Sequence, residues 1–317
     1  MRTGPRTASV SWPPGATVAL VLACILWAAS SIAAKVALGD GSAAANGTMG
    51  PFTLAAVRFG VGGAVLYAFL RIRGHWMPVR PEDRGRFLLL GGLGIGLTYM
   101  VFYGGMRFTT ATETTLLVAA EPVLIALLAR MILRERLTPL QGSGLAVGVA
   151  GVYLIVVRGL VPRAEGTVLA NAVVAVSLVF ESYSSIVGKR LTSTYPGLVV
   201  AATGMLFGAA MLAPFAVHEA LSRGISTLGA AQWSAVAYLT LVCSCLCYGV
   251  WYSLLRRYPV SKMAAFLFIQ PLLGPVYGYV LLGETMTMWT VAGAVLVVAG
   301  VWMVAAPSAA RRGAARA

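Results

Sequence analysis

The sequence predicts an all-α integral membrane protein of ten transmembrane helices, arranged as two inverted five-helix halves. Three observations carry that expectation: apolar runs of spanning length recur along the chain, basic residues fall in alternate connections, and the second half repeats the first. Of 317 residues, 59% are apolar and 11% are charged, with a mean hydropathy of +0.83. A soluble domain of that size needs far more charge to cover its surface. The apolar excess therefore faces lipid, and a run of about 20 residues crosses a hydrocarbon core of about 30 Å.

Reading apolar runs against proline, glycine and charged punctuation places ten spans. They lie at 15–38, 52–70, 87–106, 112–133, 139–157, 167–188, 197–217, 231–254, 260–282 and 287–306. The second and seventh are rich in glycine and alanine and are the least sharply bounded. The apolar stretch after Arg2 and Arg6 runs on to about Leu38, too long for the h-region of a signal peptide, so it reads as a retained first span.

Orientation follows from the lysine and arginine bias. With residues 1–14 and 307–317 as cytoplasmic tails, seventeen of the 24 basic residues lie on the cytoplasmic side, among them Arg71, Arg73, Arg80, Arg84 and Arg86 in a single connection. Four lie outside: Arg107, Arg158, Arg163 and Arg223. The same pattern accounts for the net charge of +14 and the pI near 10.2. The basic clusters sit between apolar runs, with no basic helix face and no interleaved aromatics, which excludes nucleic acid as a partner. They suit topology setting and contact with anionic lipid head groups. Cys24, Cys243, Cys245 and Cys247 all fall inside apolar runs, so no extramembrane disulfide framework is expected.

The repeat is legible in residues that are costly in a membrane. Ser30-Ser31-Ile32-Ala33-Ala34-Lys35 returns as Ser184-Ser185-Ile186-Val187-Gly188-Lys189, 154 residues later. From the third span onward an offset of 149 holds without a gap, pairing Tyr99 with Tyr248, Tyr103 with Tyr252, Arg107 with Arg256, Pro122 with Pro271 and Glu135 with Glu284. Each half, 15–157 and 167–306, contains five spans, an odd number, so the halves enter the membrane in opposite directions. Inverted repeats are common among secondary transporters, with the solute site near the midplane.

With these residues in view, the chain resembles the EamA-type members of the drug/metabolite transporter superfamily over about 15–306. The resemblance rests on Trp27 followed eight residues later by Lys35, on Arg58-Phe59, on Pro122 and Pro271, and on Glu135 and Glu284, the latter within Leu282-Gly283-Glu284. Two departures stand out: Arg134 where the family has glycine, and Ala28 where glycine follows the tryptophan. The resemblance implies a ten-helix transporter, usually an exporter, whose central cavity opens to one side at a time. Amino acids, sugars, nucleotide bases, cations and drugs are all carried within that superfamily.

Several residues are candidates for solute or proton chemistry, because an ionisable group at mid-membrane costs about 3 kcal/mol or more. Glu121 lies 13 residues before Arg134, roughly 20 Å at the helical rise of about 1.5 Å, and its repeat mate is Gln270. Each precedes a proline, Pro122 or Pro271, which kinks the helix and frees a carbonyl. Together they read as a solute- or proton-binding pair, against a kink with an internally satisfied polar residue. Glu181, whose repeat mate is Trp27, lies beside Tyr183 and Ser184; it serves a cationic or zwitterionic solute or a coupling proton, or else pairs with Arg130. Arg58 either meets a solute carboxylate or forms an ion pair with Glu113 or Glu121, and the ion pair is the favoured reading. Lys35 and Lys189 end spans of opposite orientation, where long basic side chains snorkel, and their repetition favours an architectural role over gating. Glu135 and Glu284 cap short connections and pair with nearby basic residues, in preference to a role in transport. Of the aromatics Trp27, Tyr99, Tyr103, Tyr183, Tyr248, Trp251 and Tyr252, two or three are expected to touch solute. Gly92-x-x-x-Gly96 and Gly144-x-x-x-Gly148 suit close helix packing. Cys243-x-Cys-x-Cys247 does not converge on one helical face and reads as packing rather than a metal site.

The expected function is a secondary transporter for a small-molecule solute, a metabolite or drug, with membrane lipid as its surroundings, no cofactor, and homodimerisation left open. The competing class, a membrane enzyme acting on a lipid-linked substrate, needs a clustered acid, base or metal set at the interface; none can be assembled here. A passive channel more often uses a symmetric oligomeric pore. The topology is testable with cysteines in a background lacking the native ones. Ser42→Cys and Thr167→Cys should react with an impermeant maleimide in whole cells, and Glu82→Cys should not; the reverse pattern overturns the charge-bias argument.

Overall fold

A computed structural model describes residues 13–39, 49–106, 108, 114, 117–118, 121–135, 138–157, 168–223, 228–282 and 288–305. Among these residues the chain is helical throughout, without strands. In chain order the helices are α1 (Pro14–Leu38), α2 (Pro51–Ile72), α3 (Pro81–Met106), α4 (Glu121–Ile132), α5 (Pro139–Val157), α6 (Val168–Leu191), α7 (Gly197–Arg223), α8 (Ala230–Leu255), α9 (260–282) and α10 (Met288–Ala305). Six are long and apolar enough to cross a membrane: α1, α2, α3, α7, α8 and the Ala172–Leu191 part of α6. The protein is a multi-pass membrane protein. The expected outer connections around 41–50 and 160–166, with Arg107, Glu113 and Glu284, lie outside the described residues apart from Met49 and Gly50.

Large apolar side chains stand on the outer surface in helical register. On α10 they are Val291, Val295, Val298 and Trp302, and on α2 Val61, Val65 and Phe69. Spacings of three and four residues put each set on one face, and in hydrocarbon such a face needs no cover. The opposite faces carry small residues. On α5 and α10, which pack chiefly on one another, a side chain at Gly151 would overlap the Gly293 carbonyl and the Val297 amide, and one at Gly300 would overlap the Gly144 carbonyl and Gly148. Such backbone-to-backbone approach is how helices gain contact where water supplies no driving force. The two contacts are reciprocal in the repeat offset of 149, Gly151 matching Gly300 and Gly144 matching Gly293.

Among the described residues four helices depart from regular α geometry. α1 breaks at Ala29, between Pro14–Ala28 and Ser30–Leu38. α3 and α8 widen into π-helix at Leu89–Leu97 and Tyr238–Tyr248, starting at positions 149 apart. Hydroxyls help to satisfy the widened turns, Thr98 donating to the Leu93 carbonyl at 3.0 Å and Ser244 to Leu239 at 3.0 Å. In this stretch Gly91 makes a close backbone approach, against the Gly204 carbonyl of α7, Gly94 packs against Ser184, and Gly92 and Gly96 face Met211. In α9 the α-helical pieces Val260–Ala264 and Ile269–Leu282 are joined by a 3-10 turn at Ala265–Phe268.

α4 ends where the amides of Leu133 and Glu135 both return to the Ala129 carbonyl, at 3.0 and 3.2 Å. Arg134 takes φ of 55° in that turn, a left-handed conformation that costs a residue with a Cβ about 1–2 kcal/mol. The family glycine that Arg134 replaces would adopt it freely. Arg134→Gly should therefore raise stability by about 1 kcal/mol, read as a higher apparent unfolding temperature in detergent. Gly151→Val should lower it by about 2 kcal/mol, the cost of overpacking a close contact.

Candidate functional site

Seven helices converge on one cavity of about 800 Å³, its openings included. α1 supplies Trp27, Ala28, Ser30, Ser31 and Ala34 around its break; α2 supplies Arg58; α3 supplies Tyr99, Phe102 and Tyr103. Glu121 begins α4, Glu181, Ser184 and Ser185 come from α6, Tyr248, Trp251 and Tyr252 from α8, and Leu267 and Gln270 from α9, with Val118 completing the wall. The break in α1 lets the Leu26 carbonyl accept from the Tyr238 hydroxyl at 2.6 Å, while the Trp27 indole donates to the Cys243 carbonyl at 3.0 Å. Those bonds fix the Trp27 ring edge-on to Tyr248, with centroids 5.3 Å apart.

Tyr99 and Tyr248, related by the repeat offset, meet hydroxyl to hydroxyl at 3.0 Å. Both hydroxyls also donate to one oxygen of Glu181, each at 3.1 Å. Three oxygens thus form a triangle on the line where the repeats meet. α6 can press this close because Gly94 of α3 has no side chain, and a Cβ there would overlap Ser184.

Arg58 is 2% exposed. Its Nε donates to the Ser244 hydroxyl at 2.9 Å and an Nη to the Tyr103 hydroxyl at 2.6 Å. The guanidinium carbon lies 4.8 Å from the Phe59 ring centroid and 4.9 Å from that of Tyr99, within cation–π range. No ion pair joins Arg58 to Glu121 among the described residues, and Glu113 lies outside them. Among the described residues Arg58 binds hydroxyls and rings. Glu121 lines the same cavity with no hydrogen-bond or ion-pair partner among the described residues. Glu181 is held by the two tyrosines rather than by Arg130.

Trp27, Arg58, Tyr99, Tyr103, Glu121, Glu181, Tyr248, Trp251, Tyr252 and Gln270 line the cavity. Tyr183 does not; it packs half-buried against the apolar core. Glu181, Ser184 and Ser185 share one helical face at spacings of three and four, and a residue two after Glu181 points elsewhere. Pro122 is buried immediately after Glu121, and Pro271 immediately after Gln270. Lys189 does not snorkel: its ammonium donates to the carbonyls of Leu255 and Tyr258, the latter at 2.8 Å. The thiols diverge, Cys245 toward the Gly62 carbonyl of α2 and Cys247 toward Ala23 of α1. No group of metal-binding side chains gathers among the described residues. Sequence reasoning missed Phe59, Phe102 and Ser244. For the missed serines Ser31 and Ser185 a signal was present, since both stand in the repeated hexapeptide.

The sequence matches the EamA-like transporter family twice, over residues 15–157 and 168–306. A Streptantibioticus cattleyicolor protein named "Probable terminal-alkyne amino-acid exporter" is 30% identical over 90% of this chain and 92% of its own length. A Salmonella typhimurium protein named "Probable amino-acid metabolite efflux pump" is 26% identical over 89% of this chain and 92% of its own. A solved crystal structure, 22% identical, shares the fold with a TM-score of 0.73 over 92% of this chain and 98% of that one. The two family matches lie on either side of a cavity to which both contribute walls, and the chain belongs to the EamA-like transporter family, as a membrane transporter and not an enzyme.

Proposed function

We propose that the protein exports a small zwitterionic, amino-acid-like metabolite across the cytoplasmic membrane in exchange for protons. Transport proceeds by alternating access between two inverted five-helix halves, 15–157 and 167–306, with both termini cytoplasmic. One observation carries the solute class: a buried guanidinium whose partners among the described residues are neutral hydroxyls and rings, and two carboxylates, face a single cavity. Arg58 takes the solute carboxylate, Glu121 takes its ammonium group, and Trp27, Trp251 and Phe102 cover its apolar part. The names of the two amino-acid exporting relatives agree with that assignment.

The oxygen triangle supports proton coupling. Two phenol hydrogens serve three short contacts among Tyr99, Tyr248 and Glu181. With Glu181 ionised, one contact holds no hydrogen; with Glu181 protonated, each oxygen donates once and accepts once around the ring. A proton on Glu181 thus completes the arrangement, and its loss loosens it. The reciprocal contacts at Gly151 and Gly300, the matched π-helices and the meeting of Tyr99 with Tyr248 support the inverted repeat. The arginine- and lysine-rich connections support cytoplasmic termini.

The test uses proteoliposomes with an imposed pH gradient and a panel of amino acids, each paired with its carboxamide and its deaminated acid. Wild type should carry the zwitterions and neither analogue. Arg58→Gln should reduce that transport at least about tenfold, the effect of losing a charge-assisted hydrogen bond. Glu121→Gln should weaken solute binding, whereas Glu181→Gln should leave transport that no longer responds to the gradient. Equal transport of acid and carboxamide would remove Arg58 from recognition. Unchanged pH response in both glutamate variants would end the proton-coupled reading.

A further inference from the structure

At the end of the bundle where Arg80, Arg134, Lys189, Arg190, Arg256 and Arg257 cluster, opposite charges grip opposite helix ends. The carboxylate of Glu135, just after α4, accepts from the amides of Val260 and Ser261 at the start of α9, both at 3.1 Å, and from the Ser261 hydroxyl at 2.5 Å. Lys189, at the end of α6, donates to the carbonyls of Leu255 and Tyr258 that close α8. An anion at a helix N-terminus and a cation at a C-terminus each satisfy groups the helix leaves unpaired. The two grips differ in one respect. Lys189 ties together parts of the second half, so the α8–α9 connection moves with α6, whereas Glu135 belongs to the first half and ties that unit across to it.

The helices so joined are the ones that wall the cavity. Glu121 lies at the far end of α4 from Glu135, and Gln270 lies on α9 beyond Val260 and Ser261. Between that anchor and Gln270, α9 changes pitch in the 3-10 turn at Ala265–Phe268. Short 3-10 stretches inside helices mark hinges. The piece Val260–Ala264 is thus held at one end by three hydrogen bonds to Glu135 and joined at the other to a change of helical pitch. In the sequence, the offset of 149 carries Glu135 onto Glu284 and Ser261 onto Thr112, so a carboxylate and a hydroxyl recur at matching positions outside the described residues.

We propose that Glu135 is the latch of the cytoplasmic gate: bound to Val260 and Ser261 it holds Val260–Ala264 across the inner end of the cavity, and its release lets that piece swing about Ala265–Phe268. The inference rests on the alternating-access reading and assigns Glu135 a positioning role, acting through α9 and not by touching solute. Three acceptor contacts made by one carboxylate are given up together when it leaves, which suits an element that must be either fully held or free.

The experiment needs no solute, so its failure is separable from failure of the transport reading. Full-length protein lacking the native cysteines carries a single reporter in the cavity wall, Ser185→Cys, in inside-out and right-side-out vesicles. An impermeant maleimide should label the reporter about tenfold faster in inside-out vesicles when Glu135→Gln is added, matching the loss of a charge-assisted hydrogen bond. Ser261→Ala, which removes one contact of three, should give a smaller rise on the same side, and Glu135→Asp should restore part of the slow rate. Labelling in right-side-out vesicles should fall or stay level. An unchanged rate in inside-out vesicles for both Glu135→Gln and Ser261→Ala overturns the latch. So does an equal rise from both sides, which marks a loosened bundle.

Discussion

Hydrocarbon offers no hydrogen bonds, so every polar group carried into it must find its partner within the protein. The organisation of this bundle follows from how that requirement is met around Arg58. A guanidinium at 2% exposure is held by Ser244 of α8 and Tyr103 of α3 while lying against Phe59 and Tyr99. Its partners come from both halves of the chain, so the arginine fastens α2 to α3 and α8 through hydroxyls. Its direct partners among the described residues are neutral hydroxyls and rings, and it lies on the wall of the cavity.

Repetition and divergence have separate places in the site. Tyr99 and Tyr248 are the same residue in two halves and meet each other directly. Glu181 stands where the first half has Trp27, and Glu121 where the second half has Gln270. Paired tyrosines thus mark the junction, with Glu181 held between them and Glu121 and Arg58 contributed by the first half. A cavity built this way is symmetric in its frame and polar in its contents, which lets it receive a solute with distinct ends in one orientation.

The helices, the cavity-lining charges and the repeat offset were readable from sequence because each depends on residues that are costly in lipid. Tyr99, Glu121, Glu181 and Tyr248 announce themselves against a background of leucine, valine and alanine. Geometry that depends on backbone pitch was not readable. Nothing in Leu89–Leu97 or Tyr238–Tyr248 distinguishes π-helix from α-helix in a table of apolar residues, and neither the backbone approach at Gly91 nor the contact at Gly94 could be singled out from it. Residue types alone did not announce that Arg58 is held by the hydroxyls of Tyr103 and Ser244 and by aromatic faces, partners that carry less desolvation than a buried carboxylate. The left-handed turn at Arg134 had a trace in the sequence: a family glycine is missing there, and glycine is the residue that such a turn favours.

The contact between α5 and α10 has a mechanical consequence. Side chains that interlock must unlock before two helices can move, and each interlocked pair adds friction. Gly144, Gly148, Gly151, Gly293 and Gly300 give these two helices smooth backbone surfaces in place of teeth, with bulky valines turned toward lipid. A small change in the angle between α5 and α10 therefore meets backbone at the centre of the contact, as the journal of a shaft meets its bearing, and the joint so formed links the two family repeats.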